Sequence, residues 1–283
     1  MFLCVANILY LCQIYYHMIP VYRKRLAING IEMDYGHFGD GPRTMVIIPG
    51  MSVQSVMPSL ESIAAAYRAF TERYTIYVFD RKKDFPDTYP VTGMAEDTAS
   101  AMKLLGIRDA DVFGASQGGM IALALAIGHP ELVHRLAVAS THARPCFIGM
   151  ETMKLWKRLA EEGSKEDLNR NVYQRVYSPA FYSRYARAFK MLESAGTAED
   201  LRRFAIMAQA TMDFDVFDQL DKIKCPVWVS GSYKDEVLGA QGSIDISERL
   251  GCPIHMYAEA GHAAYDEEKD FSGRLLAFFS EES

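Results

Sequence analysis

The chain has no Cys-x-x-Cys pair. Its five cysteines, Cys4, Cys12, Cys146, Cys225 and Cys252, are odd in number and scattered. That pattern argues against a disulfide framework or a thiolate zinc site and suits a reducing, cytoplasmic compartment. The chain also lacks a basic stripe, and its net charge of −6 argues against nucleic acid as its main partner. No internal repeat or low-complexity tract is apparent. Residues 1–22 hold no charged side chain and are followed by Arg23-Lys24-Arg25, but they have neither the basic n-region nor the small-residue cleavage site of a signal peptide. Three readings fit them: a weak membrane anchor, interrupted by Asn7, Gln13, His17 and Pro20; an apolar segment packed on this protein or a partner; or an over-extended start, with translation beginning at Met18. The missing flanking signals favour the last.

What is present is an ordinary globular composition, 49% hydrophobic and 23% charged, over 283 residues. That length holds one α/β domain with an insertion, or two small domains. The most informative stretch is 111–130. An apolar run reads as a buried strand, residues 117–127 read as a buried helix stopped by Gly128 and Pro130, and Gly114-Ala-Ser116-Gln-Gly118 lies between them. This is G-x-S-x-G in the strand–turn–helix context that exposes a serine at the carboxyl end of a sheet. Side chains at 114 and 118 would collide across so tight a corner, hence the glycines. The spacing matches neither dinucleotide nor phosphate loops.

Before the elbow the pattern predicts a hairpin at Asn29-Gly30, a buried strand over 44–48 ending in Pro49-Gly50-Met51-Ser52, a helix over 56–72 and a strand over 75–79. A polar loop over 80–91 and a helix over 93–105 follow. After it come a strand over 135–139, a long stretch without strand signal, a strand over 226–230, a helix over 240–250, a strand over 253–258 and a helix over 265–279. The domain reading is an apolar extension, 1–22, an α/β core, 23–143 and 223–283, and an inserted helical cap, 144–222.

A nucleophilic serine needs a base, and the base needs an orienting carboxylate. The strands after the insertion end in loops carrying Asp235 and His262, which gives the order Ser116, Asp235, His262 that accompanies this elbow. Glu236 and Asp245 are weaker acids. His255 falls inside a strand pattern, His129 in a helix-ending turn and His134 at a strand start; His142, at a strand's carboxyl end, can line the pocket. The oxyanion donors are the backbone N–H groups of Gln117 and Met51.

On Val46-Ile-Ile-Pro-Gly-Met, Phe113-Gly-Ala-Ser-Gln-Gly-Gly, Gly231-Ser-Tyr-Lys-Asp and Gly261-His, residues 23–280 resemble the α/β-hydrolase fold superfamily. The resemblance implies an α/β fold with a mostly parallel eight-stranded sheet, helices on both faces and a helical cap, and a Ser116/Asp235/His262 triad. One departure is Pro49-Gly50, where many members have His-Gly. The expected activity is that of a serine hydrolase on a small or medium carboxylic ester or thioester with an apolar acyl part, without metal or organic cofactor. C–C bond hydrolysis, amide or imino-peptide cleavage, perhydrolysis, acyl transfer and non-catalytic ligand reception remain open on the same scaffold. Dehalogenase and epoxide hydrolase chemistry is disfavoured, because the elbow carries Ser116 instead of Asp. Membrane contact is expected only if residues 1–22 are a real segment.

Overall fold

The apolar runs become strands β1 (Val21–Ile28), β2 (Ile31–Phe38), β3 (Arg43–Ile48), β4 (Tyr74–Lys82), β5 (Ala110–Ala115), β6 (Val133–Ala139), β7 (Val227–Ser232) and β8 (Ile254–Tyr257) in the computed structural model of the chain. The structure describes residues 19–28 and 30–281. The readings of residues 1–22 thus fall mostly outside the described residues, although Val21 and Tyr22 open β1. Among the described residues no helix is long and apolar enough to cross a membrane. The eight strands form one sheet in the order β1-β2-β4-β3-β5-β6-β7-β8. The pairs β1–β2 and β2–β4 are antiparallel and the rest are parallel.

The central strands are largely buried on both faces, as their apolar runs require. Along β5, Val112 points into one core and Phe113 into the other, following the period of two. The first core packs helix α2 (Val91–Leu104) and the elbow helix α3 (Gln117–Gly128) against the sheet. The second packs α1 (Leu60–Ala66) and the C-terminal helix α11 (Phe271–Ser280), whose Phe271, Leu275 and Phe279 are fully buried. Each such side chain stabilises the fold by about 1.5–3 kcal/mol.

Between β6 and β7 stand five α-helices: α4 (Phe147–Glu161), α5 (Lys165–Val176), α6 (Pro179–Arg184), α7 (Ala186–Leu192) and α8 (Ala198–Met212). Gly163 and Gly196 adopt positive φ at breaks between them, and the Ser178 hydroxyl caps α6. The remaining helices are α9 (Ala240–Leu250) and the short α10 (Ala264–Glu267).

Beyond shifts of one to two residues at several ends, three elements depart from the sequence pattern. The helix expected over 56–72 is split: Tyr67 leaves helical dihedrals, and a separate short turn, Arg68–Phe70, buries Phe70 beside Tyr67. Strand β4 continues through Asp80-Arg81-Lys82, because β2 offers a pairing edge as far as Lys82. The helix expected over 265–279 is interrupted between α10 and α11.

Candidate active site

Sterics build the corner at Ser116. Its backbone sits at φ 54, ψ −126, a conformation costing a non-glycine residue about 1–3 kcal/mol. Neighbouring bonds hold it there. The Ser116 N–H donates to Ala139 O at 2.9 Å, and its carbonyl accepts the Thr141 hydroxyl at 2.8 Å. A Cβ at Gly118 would lie 2.0 Å from Ile48 O, and one at Gly114 would lie 2.4 Å from Gly118 O. Only glycine lets β3, β5 and α3 approach this closely.

Parallel strands bring the loops after β3, β5, β7 and β8 to one edge of the sheet. There His262 Nδ1 and Asp235 Oδ2 are 2.8 Å apart. Both residues are buried. The other carboxylate oxygen, Oδ1, accepts the N–H groups of Val237 at 2.8 Å and Leu238 at 2.9 Å. Burial pushes the Asp235 carboxyl up, but the His262 charge and hydrogen bond and the two backbone N–H groups outweigh it and leave it below the usual carboxylate range. The second ring nitrogen, Nε2, is buried and has no hydrogen-bond partner among the described residues. Ser116 and His262 line one cavity with Met51 and Gln117. Its volume is about 10 Å³, room for about one water. The structure therefore brings Asp235 and His262 into contact and sets Ser116 on the same cavity, with no Ser116–Nε2 hydrogen bond.

The other candidates fall elsewhere. The Asp245 carboxylate pairs with Arg144 at 2.6 Å, and the backbone carbonyl of Glu236 accepts from Arg175 Nη1 at 3.3 Å. His129 contacts Glu96, His134 contacts Asp111, and His255 packs edge-on against Tyr257. His142 is buried beside Phe214, outside the lining of the Ser116 cavity. Burial drives its pKa down to about 4, against the upward pull of Asp235 and Asp215, with His262 adding to the fall. The folded protein thus holds His142 neutral where an unfolded chain would protonate it. As pH falls from 6.5 to about 4, stability is expected to drop by about 3 kcal/mol. Denaturant titrations at successive pH values should show this slope in the wild type and a shallower one in His142→Gln.

Sequence patterns gave no sign of three sets of supporting contacts. Glu267 Oε1 accepts the N–H groups of Gly261 and Ser178, each at 2.9 Å, and Oε2 accepts the Ser178 hydroxyl, tying the His262 loop to the start of α6. The Ala263 N–H donates to Val176 O at 2.9 Å, at the end of α5. Gln117 Nε2 donates to Met207 O at 2.8 Å and to the Thr211 hydroxyl at 2.9 Å, both on α8.

Residues 62–269 match the family model described as the alpha/beta hydrolase fold. The chain belongs to that family. It is similar to the carbamate-hydrolase candidate RutD of Caulobacter sp. (strain K31), 26% identical over 78% of this chain and 86% of the relative. It is also similar to the serine hydrolase BPHL of Homo sapiens, 19% identical over 90% of this chain and 85% of the relative. Among solved structures, the enol-lactonase from Burkholderia xenovorans LB400 superposes with a TM-score of 0.80 at 19% identity, covering 91% of this chain and 100% of that one. The solved structure thus shares the fold of this chain.

Proposed function

We propose that the chain is a serine hydrolase cleaving a small or medium carboxylic ester or thioester through an acyl-enzyme. The observation that carries this reading is the Asp235–His262 hydrogen bond, whose far nitrogen is unpartnered in a protein that sets a strained Ser116 on the same cavity. Ser116 Oγ attacks the acyl carbon while His262 Nε2 takes its proton. Asp235 fixes the proton on Nδ1, and the N–H groups of Met51 and Gln117 receive the developing oxyanion. The Gln117 N–H belongs to the first turn of α3 and has no acceptor four residues back, which leaves it available. His262 then returns its proton to the leaving group and activates the water that releases the acid. The apolar side chains of Met153, Trp156, Val172 and Val176 line the cavity and supply the acyl pocket. Since about one water fits, the helices of the insertion act as a cap that shifts to admit substrate. Cys146, Cys225 and Cys252 are free thiols, which supports a reducing, cytoplasmic setting.

A second reading, cleavage of an acyl–nitrogen bond, draws on one observation. Gln117 lines the cavity and its Oε1 is buried with no partner, an acceptor suited to a substrate N–H. The carbamate-hydrolase relative points the same way. The two are separated with 4-nitrophenyl esters of increasing chain length beside the matching 4-nitroanilides. The ester reading expects turnover of short and medium esters, with kcat/KM higher than for the matching anilides. Faster turnover of the anilides would replace it with the second reading. Ligand-induced thermal stabilisation without turnover of either series would mark a receptor.

A further inference from the structure

A second cavity is lined by residues flanking Met51 in the loop after β3, and two arginines line it: Arg81 on β4 and Arg203 on α8. Arg81 is 8% exposed. Its Nη2 donates to Pro49 O at 2.8 Å, but its Nε is buried with no partner. Arg203 Nη2 donates to Lys82 O at 3.2 Å, its guanidinium lies 4.5 Å from the centre of the Phe85 ring, and its Nε is likewise buried with no partner. Among the described residues neither guanidinium has a carboxylate within 4.0 Å. Arg202, the adjacent residue, is by contrast paired with Glu199 and Asp87.

Among the described residues Asp80 is the acidic side chain lining this cavity, and its oxygens are already engaged. Oδ1 accepts the Arg81 N–H at 2.8 Å, and Oδ2 accepts the Ser55 hydroxyl. Two guanidiniums therefore face one carboxylate. Burial weakens the protonated form of Arg81 and Arg203 adds to that, with Asp80 and Tyr89 opposing. An uncompensated buried cation is costly, and a planar anion matching the guanidinium fork relieves the cost. The cavity measures about 20 Å³, room for one or two waters, which suits the two oxygens of a carboxylate better than a phosphoryl group. Pro49 and Gly50 line it, and the next residue, Met51, lines the Ser116 cavity. Met207 also lines it, and the Met207 carbonyl holds Gln117.

We propose that Arg81 and Arg203 form a carboxylate-binding site that selects substrates carrying an acid group near the scissile acyl bond. The carboxylate site itself stands apart from the hydrolase reading; its use in substrate choice rests on that reading. Two measurements keep these separate. The first is thermal stabilisation of the Ser116→Ala protein by glutarate, with 1,5-pentanediol as the neutral control. A concentration-dependent rise with glutarate alone, weakened at least tenfold in apparent affinity by Arg203→Gln and by Arg81→Lys, supports the site. The second is the ratio of kcat/KM for the 4-nitrophenyl monoester of glutarate to that for 4-nitrophenyl pentanoate. A ratio of tenfold or more that falls toward one in Arg203→Gln and recovers partly in Arg203→Lys supports a substrate-borne carboxylate. Glutarate binding with equal ester rates assigns the site to a free carboxylate, and glutarate binding without any hydrolysis leaves the site standing while the hydrolase reading fails. No glutarate effect, with the same ester ratio in wild type and variants, overturns the proposal. Stabilisation by inorganic phosphate at lower concentration than glutarate overturns the choice of carboxylate.

Discussion

Ser116→Ala is expected to lower ester hydrolysis by about 10⁴- to 10⁶-fold, leaving only what an oxyanion site and binding supply. The substitution removes one oxygen from a 7% exposed side chain. The corner is held by backbone bonds to Ala139 and Thr141 and by the close approach of Gly118 to Ile48, none of which involves the serine hydroxyl. The variant should therefore fold with a thermal midpoint within a few degrees of wild type. Steady-state rates on a short-chain 4-nitrophenyl ester, measured beside a melting curve, check both halves. A folded variant retaining a tenth of wild-type activity would mean that another group is the nucleophile.

Asp235→Asn is expected to lower kcat by about 10⁴-fold with little change in fold. The reason lies in the two backbone bonds. The N–H groups of Val237 and Leu238 both need an acceptor at Oδ1, so an asparagine keeps its carbonyl oxygen there and turns its NH₂ toward His262. Nδ1 must then accept, which moves the imidazole proton to Nε2. The ring stays in place in the wrong tautomer and cannot take a proton from Ser116. Comparing kcat with KM on the same ester separates this from a binding defect, since KM should move only a few-fold. A matched loss in KM with kcat preserved would assign Asp235 to substrate binding instead.

What could be read from the sequence follows how locally each feature is determined. The elbow is dictated within five residues, because positions 114 and 118 must lack side chains for the chain to turn. Strands β3, β5, β6 and β7 each carry an apolar run buried on both faces, a pattern that needs no partner to be recognised. The continuation of β4 through Asp80-Arg81-Lys82 was not legible, because polar residues there are kept in strand geometry by hydrogen bonds from β2. Glu267, Thr211 and Arg203 were equally silent. Each acquires its place through a contact with a distant segment: the His262 loop, the Gln117 amide and Lys82 O, respectively. The chain order Ser116, Asp235, His262 carried information because a parallel sheet delivers successive loops to one edge, where the structure puts Asp235 and His262 2.8 Å apart.

The most direct test of an activated serine is intact-mass analysis after exposure to a fluorophosphonate probe, wild type beside Ser116→Ala. A single adduct on the wild type that is absent from the variant, with labelling suppressed in Asp235→Asn, is the result expected of a Ser116 nucleophile. An adduct of equal yield on Ser116→Ala, or no adduct on a folded wild type that turns over esters, would contradict it.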